Sequence, residues 1–232
     1  MVRSGDYARN HQELIMNKSL KLYIIFCSIF CTIIVTGNLI FQKFITLNIF
    51  NNILEVSVGV LLYPLTFLIS DLVTEFYGKS AAKFMINVAI LCSLMVLGLI
   101  SVSDYCSATA WSVIDDQTFH KVFNVYGINA AASIVANYLG QLCDIYLFSY
   151  LKVLTQGKHL WFRNNVSTIV GQSVDTVIIV FILSFFDIIP WELFIIVTLS
   201  SLSFKILATL ASTPFCYCGY YLMCKFSIAK IK

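Results

Sequence analysis

Four charged side chains stand inside long apolar stretches of this sequence. They are Asp71, Asp144, Asp175 and Lys205. If those stretches span a membrane, each charge facing lipid costs roughly 3 kcal/mol, and the four together on the order of 10 kcal/mol. The four groups must therefore face protein or water, where carboxylates and an ammonium group can bind a cation or a ligand rich in hydrogen-bond donors.

The composition places these groups in a membrane. The chain has 232 residues, of which 59% are hydrophobic and only 12% are charged. Charge-free runs from Leu22 to Gln42 and from Phe84 to Ser103 match the ~20 residues that a helix needs to cross a bilayer. We therefore predict a polytopic membrane protein, which excludes a soluble enzyme, a nucleic-acid-binding domain and a secreted disulfide scaffold.

The predicted fold class is all-α, with six transmembrane helices. The segments are Leu22–Gln42, Val56–Tyr77, Lys83–Val102, Tyr126–Tyr150, Val166–Phe186 and Leu193–Met223. We expect the second and sixth helices to be broken or kinked at Pro64 and Pro214, which remove backbone donors and free carbonyl groups. A six-helix domain over residues 22–224 would then lie between tails at residues 1–21 and 225–232.

The positions of the basic residues predict the orientation. Twelve of the fifteen share one predicted side: Arg3, Arg9, Lys18, Lys21, Lys79, Lys83, Lys152, Lys158, Arg163, Lys225, Lys230 and Lys232. Only Lys43 and Lys121 fall on the other side, and Lys205 lies within the sixth segment. Because basic residues stay on the cytoplasmic side, both termini should be cytoplasmic. The first apolar run is longer than a signal-peptide core and predicts an uncleaved helix.

Metal, cofactor and covalent chemistry have little support in the sequence. Most of the eight cysteines lie in or beside apolar segments, and the Cys216-x-Cys218 pair lacks the second half of a zinc site. The three histidines fall in predicted aqueous segments, and there is no glycine-rich phosphate loop. We expect no cofactor, no metal and no enzymatic activity.

The fourth and fifth segments carry matching polar stripes. One reads Asn137-x-x-x-Gln141-x-x-Asp144 and the other Thr168-x-x-x-Gln172-x-x-Asp175, and both contain the string Gly-Gln-x-x-Asp. These spacings keep each stripe on one helical face. The glycines of the shared string, Gly140 and Gly171, should let the two helices approach closely and bring both carboxylates into one cavity in the cytoplasmic half.

The second segment adds Asp71 and Glu75, and the sixth adds Lys205. The cavity would be net negative unless one carboxylate holds a proton. Simpler interpretations are open. Lys205 could be a structural ion-pair partner, and Glu75 a solvated charge at a helix end. The Asn and Gln side chains of the two stripes could form hydrogen bonds that only hold the helices together.

Several strings resemble the queuosine precursor transporter family, also called the vitamin uptake transporter family. They are TGN at 36–38, PLTFLISDLVTEFYG at 64–78, GQLCD at 140–144, RNNVSTIVGQSVDT at 163–176 and FKILATLASTP at 204–214. The resemblance covers most of Thr36 to Pro214. It implies six-helix inner-membrane proteins that import 7-deazaguanine precursors of the tRNA modification queuosine.

This resemblance implies a role for each polar residue. A 7-deazaguanine presents an N–H and an amine side by side, which one carboxylate can accept, so Asp144 or Asp175 would read the base edge. Candidates for the other contacts are Gln141, Gln172 and Asn38 at the opposite edge, Phe67 or Phe204 for stacking, and Lys205 on the carbonyl or on Asp71. Arg163 and Asn164 would form an inner gate or a topology anchor, with Glu75 nearby.

The implied partners are the small base or queuine and the lipid bilayer, without nucleic acid. Proton coupling, the preferred precursor and the oligomeric state stay open. Other classes remain as alternatives: a substrate-binding subunit of a vitamin-type importer that borrows an energising module, an integral membrane enzyme using Asp144 and Asp175 as acid and base, and a structural membrane subunit.

Overall fold

The computed structural model describes residues 4–41, 43–49 and 52–225. Within these ranges only the backbone is described for residues 4–17, 44, 47–49, 52–56 and 124–129. The side chains of Arg3, Arg9, Lys230 and Lys232, and nearly all of the predicted C-terminal tail, lie outside the described residues.

The first helix, α1 (Ser4–Ile40), continues the apolar segment back through the polar head. It is followed by an antiparallel hairpin of β1 (Phe44–Ile49) and β2 (Asn52–Ser57), in which Phe44 lies opposite Ser57. The Ser57 hydroxyl group donates to the Phe41 carbonyl and caps the following 3-10 helix, Val58–Leu62. The sequence analysis assigned no element to the hairpin.

The long helix α2 (Tyr63–Asp104) contains most of the predicted second segment and all of the third. Gly78 divides it into a first arm, 63–77, and a second arm, 79–104, because its backbone has φ 85° and ψ 166°. The predicted second segment is divided beside Pro64: the 3-10 helix ends at Leu62, α2 begins at Tyr63, and the proline lies in the first turn of α2, where its missing N–H group needs no partner. A bend within α2, which was not predicted, lies at Gly78.

The remaining helices are α3 (Asp116–Leu154), α4 (Leu160–Phe185) and α5 (Phe194–Lys225), with a 3-10 helix, Trp191–Leu193, before α5. Asp115 caps α3 by accepting from the Thr118 N–H group at 2.8 Å, and these contacts with Thr118 lower the pKa of Asp115. At Pro214 a break is not observed, because α5 continues through this proline, and the kink expected there stays a prediction.

The described part of the chain is an all-α membrane protein apart from the hairpin. Four of its stretches are long and apolar enough to cross a bilayer: Lys18–Ile40, Val58–Asp104, Leu160–Phe185 and Trp191–Lys225. The second, of 47 residues, includes both arms of α2. One end of the bundle holds Gly78, the turn between α3 and α4, and the last turn of α5. We call it the basic end. Lys79, Lys83, Lys152, Lys158, Arg163 and Lys225 lie there.

The interior is divided between apolar and polar packing. Phe30 of α1 packs with Val73, Met85 and Ile145 in a buried apolar cluster. The faces where the first arm of α2, α3, α4 and α5 meet are lined instead by buried polar side chains. Apolar packing thus joins α1 to α2 and α3, and polar packing joins the first arm of α2 to α3, α4 and α5.

We predict that Gly78→Ala lowers the thermal unfolding midpoint of the detergent-purified protein. The φ and ψ angles of Gly78 fall in a region that is essentially restricted to glycine, so alanine should cost about 1–3 kcal/mol. The matched control is Gly98→Ala in the second arm, where an added Cβ atom meets nothing within 4 Å. That substitution should be neutral or stabilising. Equal midpoints for the two variants would contradict the strain at Gly78.

Candidate functional site

Helices α3 and α4 cross at their two glycines. A Cβ atom on Gly171 would lie 2.8 Å from the Gly140 carbonyl oxygen and 2.9 Å from Cβ of Asp144. A Cβ atom on Gly140 would lie 2.7 Å from the Gly171 carbonyl oxygen and 2.8 Å from Cβ of Asp175. The expected close approach of these helices is confirmed, and each aspartate packs against the glycine of the other helix.

Lys205 of α5 pairs with Asp175 of α4 rather than with Asp71. Its Nζ atom donates to Asp175 Oδ2 at 2.6 Å and to Thr176 Oγ1 at 2.8 Å, and both charged side chains are buried. The Tyr63 hydroxyl group donates to Asp175 Oδ1 at 3.4 Å, and Nζ lies 4.7 Å from the centre of the Tyr63 ring. The ammonium and the carboxylate are therefore held by polar and aromatic partners on three helices.

The other two aspartates, Asp71 and Asp144, lie against each other. Thr168 Oγ1 is 3.4 Å from Asp71 Oδ2 and 3.5 Å from Asp144 Oδ1, and Ser70 Oγ is 3.4 Å from Asp144 Oδ2. Both carboxyl groups are almost fully buried, and the Thr168 hydroxyl group lies between them. No described Lys, Arg or His side chain forms an ion pair with either of them.

The two glutamines connect the central helices to their outer neighbours. Gln141 Nε2 donates to Thr66 Oγ1 of α2 at 3.3 Å, and Thr209 Oγ1 of α5 donates to Gln172 Oε1 at 3.1 Å. Both glutamines are buried, and the other amide atom of each, Gln141 Oε1 and Gln172 Nε2, has no hydrogen-bond partner among the described residues. These contacts agree with a role in holding helices together.

Glu75 lies at the basic end but is not a solvated helix-end charge. It is 2% exposed, and its Oε2 atom lies 3.0 Å from Lys152 Nζ and 3.3 Å from Arg163 Nη2. Arg163 is 1% exposed, with its guanidinium carbon 5.1 Å from the centre of the Phe148 ring. Asn164 is buried beside it. This cluster fills the interior at the basic end.

A cavity of about 770 Å³, measured with its opening, extends from the Lys205–Asp175 pair toward the connection between α4 and α5. It is thus directed away from the basic end. Its lining includes Phe41, Tyr63, Ile179, Ile189 and Phe204. Its walls are largely apolar with a few polar groups, as in typical ligand pockets.

The structure brings only part of the predicted site to this cavity. Asp175, Lys205 and Phe204 line it, whereas Asp71, Gln141, Asp144 and Gln172 lie behind it at the helix crossing. Phe67 is buried there too, with its ring 3.1 Å from where a Gly171 Cβ atom would lie. Asn38 lines a separate and much smaller recess with Tyr63 and Asn137. Pro214 is exposed on α5.

The sequence analysis missed several contributing residues, among them Thr66, Ser70, Thr176 and Thr209. Thr209 follows Lys205 by one helical turn and Thr176 follows Asp175 directly, so their spacing could have indicated both. Tyr63 and Lys152 act through contacts with residues more than 70 positions away along the chain. No local pattern could have indicated those two.

We predict that Gly171→Ala strongly lowers the thermal unfolding midpoint, because its Cβ atom would meet the Gly140 backbone and Asp144 at less than 3 Å. Backbone cannot move aside as a flexible side chain can, and overpacking of this kind costs about 1–3 kcal/mol. Val170→Ala, one position earlier on an exposed face of α4, is the control and should have little effect. A midpoint of Gly171→Ala equal to that of the control would mean that the crossing can open freely.

A second prediction concerns the buried ion pair. Lys205→Met leaves the Asp175 carboxylate buried without its cation, which should destabilise the protein by about 3–5 kcal/mol. The double variant Lys205→Met/Asp175→Asn removes both charges and should recover much of that loss. Both are compared with wild type by thermal unfolding in detergent. A double variant no more stable than Lys205→Met would show that the two charges do not compensate each other.

Three comparisons relate the chain to known proteins. Residues 57–219 match the family described as "Putative vitamin uptake transporter". The "Probable queuosine precursor transporter" of Bacillus subtilis (strain 168) is 26% identical over 165 residues, 71% of each chain. The "Queuosine precursor transporter" of Escherichia coli (strain K12) is 29% identical over 137 residues, 58% of this chain and 55% of that relative. No solved structure matches the chain.

Proposed function

This chain belongs to the vitamin uptake transporter family, and on that premise we propose that it imports a 7-deazaguanine precursor of queuosine for use in tRNA modification. Family membership makes it a multi-pass membrane transporter and not an enzyme. The observation that carries the substrate proposal is the buried Asp175–Lys205 pair at the inner end of a largely apolar cavity. A flat base with adjacent donors and a carbonyl group suits such a pair.

In the proposed complex, Asp175 accepts hydrogen bonds from the ring N–H and the exocyclic amine, while Lys205 donates to the carbonyl oxygen of the base. Phe204 and Tyr63 flank the ring, where base-aromatic stacking contributes roughly 1–3 kcal/mol per contact. The cavity is lined by one acid and one base, so its formal charge balances. This balance supports recognition of the neutral base edge rather than of a pendant cation.

The basic end is proposed to face the cytoplasm. The concentration of Lys and Arg there supports this orientation, with both termini inside and six membrane crossings in the inner membrane of the cell. The substrate cavity then points outward, and the Glu75–Arg163–Lys152 cluster closes the inner side. Transport would occur within residues 22–224 by alternate opening of these two ends, with residues 1–21 and 225–232 as cytoplasmic tails.

The alternatives receive less support. An enzyme that uses Asp144 and Asp175 as acid and base needs both at one substrate, but Asp175 lines the cavity while Asp144 lies behind it against Asp71. An importer subunit with a separate energising module is distinguished by experiment, because it would co-purify with an ATPase and depend on it for uptake.

We predict that Asp175→Asn lowers uptake of a radiolabelled deazaguanine about ten-fold or more in cells that cannot synthesise queuosine. The carboxylate would be lost from both the base edge and Lys205, and charge-assisted hydrogen bonds contribute about 1.5–3 kcal/mol. Asp187→Asn is the matched control, because Asp187 is exposed in the connection between α4 and α5. Its φ of 56° also suits asparagine.

Membrane abundance of each variant is measured by immunoblot, and uptake is expressed per unit of protein. Wild-type cells that take up no label would reject the substrate. Normal uptake by Asp175→Asn at normal abundance would reject the site, even if the wild type transports the base.

A further inference from the structure

We propose that Asp71 and Asp144 form a proton-binding site, separate from the substrate cavity, that couples import of the base to inward movement of a proton. This inference rests on the proposed function, because it concerns what drives transport.

The surroundings of the two carboxyl groups favour one shared proton. Both groups are almost fully buried, and the single Thr168 hydroxyl group lies within 3.5 Å of each, so two carboxylates at this position cannot both remain ionised at low cost. Thr168 lies within hydrogen-bond reach of both but has a single hydroxyl proton to donate. Ser70 likewise has one, and its closer acceptor is the Phe67 carbonyl oxygen at 2.9 Å. Ser167 adds a further hydroxyl contact to Asp144 but none to Asp71 Oδ1, so the hydroxyl groups cannot satisfy both ionised carboxylates.

A second observation points to the same site. Asp71 Oδ1 is buried without any hydrogen-bond partner among the described residues. A buried carboxylate oxygen without a donor is costly when the group is ionised, and much less so when a proton neutralises it. A single proton bound to the pair would therefore remove this cost.

The charged and titratable groups around the pair do not replace that proton. Glu75 follows Asp71 by one turn of α2, Cys143 precedes Asp144 on α3, and Cys216 of α5 faces the pair. The cation that acts on Asp71 is Arg163 of α4, and its ion pair in this state is with Glu75. Its Nε and Nη1 atoms have no hydrogen-bond partner among the described residues. Arg163 thus has donors available for a different acceptor.

This arrangement defines where the proton goes. When the basic end opens and the Glu75–Arg163 contact breaks, the guanidinium group pairs with ionised Asp71. The shared proton then leaves from the carboxyl pair to cytoplasmic water, and no other bond is formed or broken. When the basic end closes again, Arg163 returns to Glu75, and the pair takes a proton from the outer side.

The proton site and the substrate cavity are mechanically linked. Asp144 packs on Gly171 and Asp175 packs on Gly140 at contacts that leave no room for a methyl group. Because these contacts join the backbones of α3 and α4, Asp144 and Asp175 keep a fixed separation, and a movement of α2 and α5 against this pair of helices changes the surroundings of both aspartates together. Such direct packing between two arrangements is a physical basis for coupling between sites.

The test uses the full-length protein in phosphatidylcholine liposomes and a radiolabelled 7-deazaguanine nitrile. An inward gradient of about one pH unit should produce about ten-fold accumulation for one proton per base. In Asp71→Asn and Asp144→Asn, accumulation should fall to the equilibrium level, while counterflow exchange of label persists without a gradient. Asp104→Asn, in the exposed ion pair with His120, is the control and should accumulate like the wild type. A pH-sensitive dye outside wild-type liposomes should report alkalinisation when the base is added.

The outcomes separate the two proposals. Counterflow without gradient-driven accumulation in the wild type overturns proton coupling and leaves the transporter intact. Accumulation that follows a sodium gradient at equal pH also overturns it, in favour of a sodium site. Undiminished accumulation by both aspartate variants rejects this pair as the proton site. Absence of any protein-dependent counterflow in the wild type overturns the proposed function, and this inference with it.

Discussion

The backbone contact between Gly140 and Gly171 is the constraint on which the polar interior depends. Because neither residue has a Cβ atom, α3 and α4 approach until each carbonyl group lies where the other side chain would be. At that distance Asp144 and Asp175 are withdrawn from lipid and held by the facing helix. A wider crossing would leave two carboxylates beside the hydrocarbon, where each costs roughly 3 kcal/mol. The glycines therefore make it possible to keep ionisable groups in so apolar a chain.

The buried acids are neutralised in three different ways along the bundle. Glu75 at the basic end has two cations in contact and Asp175 at the cavity has one, whereas Asp71 and Asp144 form no ion pair among the described residues and contact hydroxyl groups. A carboxylate with a fixed cation keeps its charge while the site is closed. A pair without one changes charge with its surroundings, because two adjacent carboxylates cannot both remain ionised at low cost. This difference separates the central pair from the other two positions.

The parts of the structure that were predicted from sequence depend on local periodicity. The Gly-Gln-x-x-Asp strings lie on single helical faces, so their depth and close approach could be inferred without knowing how the helices rotate. The partner of Lys205 could not, because an ammonium in α5 can reach Asp71 or Asp175 according to that rotation. The bend at Gly78 was hidden in a gap between two apolar segments. Pro64 marks the start of α2 and does not bend it, because the position of a proline in a helix decides whether a kink forms.

Helix α4 connects the features on which the proposed cycle depends. It carries Arg163 at the basic end, Thr168 at the carboxyl pair, Gly171 at the crossing and Asp175 at the cavity. It is also the most buried of the four stretches that could span a membrane. A helix held through polar contacts by α2 and α5, and by close packing against α3, cannot shift without breaking many contacts at once. In the proposed cycle, α2 and α5 therefore move against a fixed pair of α3 and α4. The hydroxyl and ammonium groups that α2 and α5 contribute can exchange their contacts one at a time.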